Sequence, residues 1–257
     1  MNAPTFLVTG GTGSLGRLVS RGLRDAGHDV RVLSHSGRSG TVRGDLLTGE
    51  GLDEATSGID TIVHCASNPR DARHADVEGT GRLLRAAERS DVAHLVYISI
   101  VGVDRNPLAY YRAKLDAERV VERSAVPWTI LRATQFHHFV LGMLRPLDCV
   151  PLFMPVPRGF LFQPVDAGEV ADRLVELSLS EPGGRVGDMG GPEVRTAASL
   201  AGAYLKAMGR RKRVLEVPLP GKTARAVRNG AQLAPESMWG TLTWKEFLVR
   251  TINAKPG

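Results

Sequence analysis

The chain is poor in cysteine: its 257 residues hold two, Cys65 and Cys149. Two thiols cannot staple a chain this long or build a zinc site alone. A disulfide scaffold and a cysteine metal centre are therefore excluded, and reduced thiols in a cytoplasmic protein are expected. Long apolar runs are missing too. None approaches the roughly 18 residues a membrane helix needs, so no membrane partner is expected. Met1-Asn2-Ala3-Pro4 opens the chain without a basic segment followed by an apolar one, so no secretory signal is expected. Aromatic residues make up 5%, and no charge sign dominates: 33 Lys+Arg against 27 Asp+Glu leave +6. That excess suits a small anionic partner and is too small to argue for nucleic acid. What remains, 42% apolar and 23% charged, is globular composition.

The first half alternates short apolar runs with helical spacing. Thr5-Phe6-Leu7-Val8, Val30-Arg31-Val32-Leu33, Thr61 to Cys65, Leu95 to Ile98 and Trp128 to Leu131 read as buried strands. Ser14 to Ala26, Val77 to Arg89 and Ala109 to Arg123 read as the helices between them. Strands alternating with helices predict an α/β fold, a doubly wound parallel sheet of the Rossmann type. From about Arg145 the texture changes: Pro146, Pro151, Pro155 and Pro157 predict loop, before a helix from about Ala167 to Leu179. The expected division is a nucleotide-binding core over residues 1–145 and a small substrate lobe over 146–257, with one or more elements returning to the core sheet.

Thr9 to Gly16 joins the first strand to the first helix and reads G-x-x-G-x-x-G at Gly10, Gly13 and Gly16. Gly10 permits the tight turn, Gly13 lets a pyrophosphate approach the backbone, and Gly16 allows close packing. The free N–H groups and positive end of the helix then face the phosphates. A dinucleotide is therefore the expected cofactor. Sites for NAD place an acidic residue at the end of the second strand. Here Ser34 fills that slot, His35 follows, Arg38 lies in the next loop, and no carboxylate appears before Asp45. This predicts NADP(H) in preference to NAD(H).

Further motifs follow at ordered intervals: Gly44-Asp45-Leu46, Cys65-Ala66-Ser67, Asp76-Val77-Glu78-Gly79-Thr80, Leu95 to Ser99, Trp128 to Ala133 and Gln163-Pro164-Val165-Asp166. With the glycine loop they resemble the short-chain dehydrogenase/reductase superfamily. The nearer likeness is to its atypical NmrA-like branch, which includes triphenylmethane reductase and isoflavone-reductase relatives. The resemblance covers nearly the whole chain. It implies a phosphate cradle at Gly10, Thr12, Gly13, Ser14, Leu15 and Gly16. It implies adenine contact at Asp45 and Leu46, and a strand end beside the cofactor at Cys65, Ala66 and Ser67.

Tyr110 and Lys114 form Y-x-x-x-K, and residues four apart share a helix face. By resemblance, Lys114 holds the nicotinamide ribose and lowers the pKa of Tyr110, which gives a proton to a carbonyl oxygen as hydride arrives. Family members usually carry a serine just after the fifth strand. Here that slot holds Ile100, and Ser99, the remaining candidate, stands one position early. Neighbouring strand residues face opposite sides, so Ser99 is expected to point away from the substrate. His137 and His138 are adjacent, so they do not share a metal, and packing or a surface position is their expected role, with substrate contact the alternative. Arg210-Arg211-Lys212-Arg213 is expected to be a solvated turn.

The reading is an NADPH-dependent oxidoreductase acting on a small carbonyl, quinone, imine or conjugated acceptor bound between core and lobe. A non-catalytic dinucleotide-binding redox sensor, or an NAD-dependent sugar-nucleotide epimerase or dehydratase, are the alternatives. The expected partner is the small-molecule substrate, with no nucleic acid, and a monomer or homodimer.

Overall fold

Phe6, Leu7 and Val8 have no solvent exposure, which marks a strand covered on both faces. A computed structural model, which describes residues 4–35, 37 and 40–253, builds the sheet around it. In chain order the elements begin with β1 (Thr5–Thr9), α1 (Ser14–Asp25), β2 (Asp29–Ser34), β3 (Val42–Arg43), α2 (Leu52–Thr56) and β4 (Thr61–His64). A π-helical turn (Arg73–Glu78) runs into α3 (Gly79–Arg89), followed by β5 (His94–Ile100), α4 (Ala109–Glu122), β6 (Trp128–Ala133) and α5 (His137–Leu147). Then come β7 (Phe153–Pro157), β8 (Leu161–Phe162), α6 (Ala167–Ser178), β9 (Gly184–Arg185), β10 (Arg195–Thr196), α7 (Ala197–Ala207), β11 (Arg213–Val217), α8 (Lys222–Arg228) and α9 (Trp244–Asn253).

Contacts divide the chain into two units. One lies within Met1–Ser99, Ala109–Arg132 and Ala167–Gly187, the other within Ile100–Leu108, Ala133–Asp166 and Asp188–Gly257. The sequence reading divides the chain at 145 with one or more elements returning to the core sheet; here the units interleave, with 167–187 in the first and 100–108 in the second. The physical reason is that α6 packs on α1, where a Cβ on Gly22 would stand 3.1 Å from Val175 Cγ2, and β9 pairs with β6.

The first unit is the doubly wound fold. Its seven-stranded sheet runs β3-β2-β1-β4-β5-β6-β9. The ladders β2–β3, β1–β2, β1–β4, β4–β5 and β6–β9 are parallel. Leu7, Ile62, Leu83, Leu95 and Ile130 fill one core without exposure. The strand order reverses between β1 and β4, so ligands are expected outside the carboxyl ends of those two strands.

The second unit has its own core around Met154, Leu200, Ala201, Trp244 and Leu248. Its proline-rich segment is not all loop: β7 pairs in parallel with β11 despite Pro155 and Pro157. A two-stranded ribbon leaves each strand an open edge, where a missing N–H breaks no ladder. Met154 and Val156 are buried and Phe153 is 39% exposed, the alternation of a half-covered strand. The basic run is not simply solvated, because Lys212 and Arg210 reach Asp148 at 2.8 and 3.4 Å. Gln163 closes the junction from inside. Its Nε2 donates to the Gly191 and Ala234 carbonyls, and its Oε1 accepts from the Ala234 N–H. His137 stacks on Trp244 and Phe247 and bonds the Leu242 carbonyl at 2.9 Å, a packing role. Among the described residues no helix is long and apolar enough to cross a membrane.

Gly102 is a tight constraint in the second unit: its φ is +85°, and a Cβ there would stand 1.9 Å from the Ala231 carbonyl oxygen. Gly102→Ala is expected to cost about 3 kcal/mol or more, the sum of left-handed strain and overpacking. Gly202 lies within α7, where an added Cβ meets nothing within 4 Å. Gly202→Ala is expected to stabilise by up to about 1 kcal/mol. Urea denaturation of both variants reads the two signs.

Candidate functional site

The glycine loop is built by close approach. Gly10 has φ +64°, and a Cβ there would stand 2.7 Å from Ala66 N, against the end of β4. Gly16 would collide with the Gly10 carbonyl at 2.3 Å, so it packs on the loop itself rather than on the strand. Gly11, which the motif reading passed over, backs onto Val32 at 2.6 Å. Gly13 differs: its added Cβ meets only the Gly10 carbonyl, at 3.1 Å, and the residue is exposed with Thr12 and Ser14. Leu15 is buried and supports the loop by packing. Gly13 caps α1 without a side-chain bond, and the first turn carries no acid. The positive end of α1 is thus left for an anion, and a Cβ at residue 13 would intrude on it.

Beside the end of β2, a cavity of about 290 Å³ is lined by His35, Arg43, Gly44, Asp45, Glu50 and Glu54, among others. His35 Nδ1 is 3.4 Å from Asp45 Oδ1. Asp45 also accepts the Leu47 N–H, and Leu46 is buried. Ser34 is half-buried, and its carbonyl accepts the Gly44 N–H. Arg38 lies outside the described residues. Arg43, which sequence reasoning missed, supplies the described cation, loosely opposed by Glu50 at 3.8 Å. Its signal was the Arg-Gly-Asp run itself, read only for its carboxylate.

Behind the loop runs a buried polar chain. Thr9 Oγ1 lies 2.6 Å from His64 Nδ1, and His64 Nε2 lies 2.9 Å from Thr80 Oγ1. Thr80 donates its hydroxyl proton to the Asp76 carbonyl. It must therefore accept from Nε2–H, which leaves Nδ1 to accept from Thr9. Thr9 in turn accepts the Ala66 N–H. Burial, assisted by the Lys114 charge, pushes the His64 pKa down to about 3, so the imidazole is neutral.

Asp76, on the π-helical turn, is the second residue the motifs did not mark as functional. Its Oδ1 is 3.6 Å from Lys114 Nζ and its Oδ2 accepts the Asn68 N–H. Lys114 is buried, donates to the Ile98 carbonyl at 2.9 Å and stands 4.2 Å over the Tyr97 ring. One of its three N–H donors is thus hydrogen-bonded, and a second faces the Asp76 carboxylate at ion-pair distance. Burial lowers its pKa, and the Asp76 and Glu118 charges oppose that fall. Tyr110, four residues earlier on α4, bonds Ser67 Oγ at 2.9 Å. Burial raises its pKa against the Ser67 hydrogen bond, so the expected lowering by Lys114 is not what the geometry gives. Burial also drives the Cys65 thiol up to about 12, so it is no nucleophile. Ser99 is buried, and among the described residues its Oγ has no hydrogen-bond partner, while Ile100 is half-buried. The fold therefore joins Tyr110 to Ser67, Gly10 to Ala66 and His35 to Asp45, and leaves Ser99 apart from them.

A family model described as NAD(P)H-binding matches residues 10–138. The chain is 31% identical over 226 residues to the (4-alkanoyl-5-oxo-2,5-dihydrofuran-3-yl)methyl phosphate reductase of Streptomyces griseus, covering 82% of this chain and 77% of the relative. It is 24% identical over 232 residues to the photosystem II assembly factor Ycf39 of Trieres chinensis, covering 84% and 72%. Among solved structures it is similar in fold to the NADPH-dependent quinone oxidoreductase QOR2 of Escherichia coli, complexed with NADPH. The TM-score is 0.81 at 16% identity, with 96% of this chain and 100% of that one covered. The match spans the glycine loop from Gly10, most of the polar chain behind it and the Tyr110–Lys114 helix: the chain belongs to the NAD(P)H-binding family.

Proposed function

We propose that the protein is an NADPH-dependent reductase of a small organic acceptor. The observation that carries this is the Tyr110–Ser67 hydroxyl pair at the exit of β4, in the same unit as the glycine loop. When bound, the dinucleotide supplies the hydride. Gly13 and the start of α1 hold its pyrophosphate, and the remaining N–H of Lys114 is offered to its ribose. Tyr110 gives the proton to the acceptor. Its raised pKa keeps the phenol protonated at neutral pH, which suits an acid. Ser67 donates to the phenolate left behind and orients the ring. This gives Ser67 the hydroxyl role that Ile100 cannot perform.

A second reading, a dinucleotide-binding regulator without turnover, is favoured by one observation. Asp76 pairs with Lys114 below the surface, and the Lys114 charge is not among the causes that shift the tyrosine. The similarity to an assembly factor points the same way. Tight NADPH binding without oxidation across a panel of quinones, ketones, imines and dyes would decide for it.

NADPH is expected to bind about tenfold more tightly than NADH, the worth of one charge-assisted contact from Arg43. The Arg43–Glu50 pair is exposed and loose, so a 2′-phosphate competes for the guanidinium, while Glu50 and Glu54 limit the gain. Fluorescence titration of both cofactors checks this, Arg43→Gln should erase most of the difference, and equal wild-type affinities would overturn it.

Tyr110→Phe is expected to leave NADPH affinity unchanged and to lower turnover on the order of 10²–10⁴-fold. The pH profile carries the sign. An acid acts while protonated, so a raised pKa keeps the rate level through neutral pH and moves its loss above the ordinary tyrosine range. Ser67→Ala removes the hydrogen bond that holds the Tyr110 pKa down, and should move that alkaline limb further up while slowing the reaction.

A further inference from the structure

The second unit holds a cavity of about 420 Å³ lined by Arg105, Lys222, Arg225 and Asn229, with Pro107 and Ala231 among its apolar walls. Lys222 and Arg225 stand three apart on α8, and Asn229 follows four residues later at its C-cap, so they share one face. Arg105 comes from the loop after β5. Its Nη2 reaches the Leu233 carbonyl at 3.4 Å, and its N–H bonds the Gly102 carbonyl at 3.0 Å. The clash a Cβ on Gly102 would make with Ala231 shows how closely this loop lies on the chain carrying Asn229. The three cations are exposed, and this packing gathers them around one cavity.

Their charges are not neutralised. Among the described residues no carboxylate lines the cavity, and neither Lys222 nor Arg225 forms an ion pair. The carboxylate nearest Arg105 is Asp104, exposed and 3.8 Å away, a weak pairing. Like charges three apart on a helix repel, so this face lies below its best stability until an anion arrives. The volume falls within the range of small-ligand pockets.

We propose that this cavity binds the phosphate of a phosphorylated small molecule. A monoester dianion answers the cations better than a carboxylate, which leaves more of the charge unmatched. Its oxygens accept the forked donors of two guanidiniums, the Lys222 ammonium and the Asn229 amide. The apolar walls receive the carbon skeleton next to the ester. The occupant is either the hydride acceptor or an effector. Only the first of these rests on the reductase reading.

The test is calorimetric titration of phenyl phosphate into protein saturated with NADP⁺, so that the cofactor's own phosphate positions are filled. Binding is expected, with Kd raised about tenfold by Lys222→Gln and by Arg225→Gln, the worth of one charge-assisted contact each. Both sites are exposed helix positions where glutamine keeps the helix. Arg228→Gln removes the same charge from a guanidinium bonded to the Leu219 carbonyl and outside the cavity, and should leave Kd within about twofold. Benzoate should bind at least about tenfold more weakly. No binding of phenyl phosphate, equal affinity for benzoate, or an equal loss in all three variants overturns the site. In a reductase assay, competition with the acceptor assigns the site to it, and a non-competitive effect assigns it to an effector. If no acceptor is turned over, the titration still reads the site, so failure of the reductase reading is separable from failure of the cavity.

Discussion

The hydrogen-bond chain from the Ala66 N–H through Thr9, His64 and Thr80 to Asp76 is the constraint on which the first unit's site depends. It ties the ends of β1 and β4 to the start of α3, and through the Asp76 carboxylate to Lys114 on α4. Every donor in it is committed, so its direction is fixed. Protonating His64 would turn its Nδ1 from acceptor to donor and leave the Thr9 hydroxyl proton without an acceptor. Burial prevents this at neutral pH by holding the imidazole pKa at about 3. The chain sets the height of Ala66 against Gly10, and with it the shape of the glycine loop.

The same burial explains why Lys114 and Tyr110 divide their work differently from what the motif implies. An ammonium this deep must be paired, because leaving it unpaired costs several kcal/mol. Asp76 and the Ile98 carbonyl supply the pairing, and the Tyr97 face adds to it. A cation so engaged has little left with which to acidify the tyrosine. Tyr110 instead takes its hydrogen bond from a serine, and its phenol stays a weak acid. A second buried pair, Glu118 with the Arg132 fork, sits lower on the same helix and fixes α4 on the sheet. Both pairs place charges in the core for position rather than for stability.

Much of this was legible in the sequence because it is local. Alternating runs give the sheet and its helices, and the glycines at 10, 13 and 16 give the close turn from β1 into α1. What was not legible is what closes over long range. Gly11 needs its freedom because of Val32, and Asp76 matters because of Lys114, 38 residues on. Pro155 and Pro157 argue for loop until β11 arrives to pair with β7, more than fifty residues later. Arg43 reads as a strand residue until the cavity it lines exists. Y-x-x-x-K was legible as a shared face. The sign of the tyrosine's pKa shift was not, since spacing carries no information about depth.

The isoleucine at position 100 then has a physical consequence. Ser99 is buried and Ile100 replaces a hydroxyl with a branched apolar side chain. Any proton chemistry on this scaffold must take its second hydroxyl from another strand. The end of β4 supplies Ser67, exposed and already bonded to Tyr110, next in sequence to the Ala66 whose N–H starts the buried chain. The network that holds the glycine loop therefore also positions the serine. A change at Thr9 or His64 would be felt at Gly10 and at Tyr110 together.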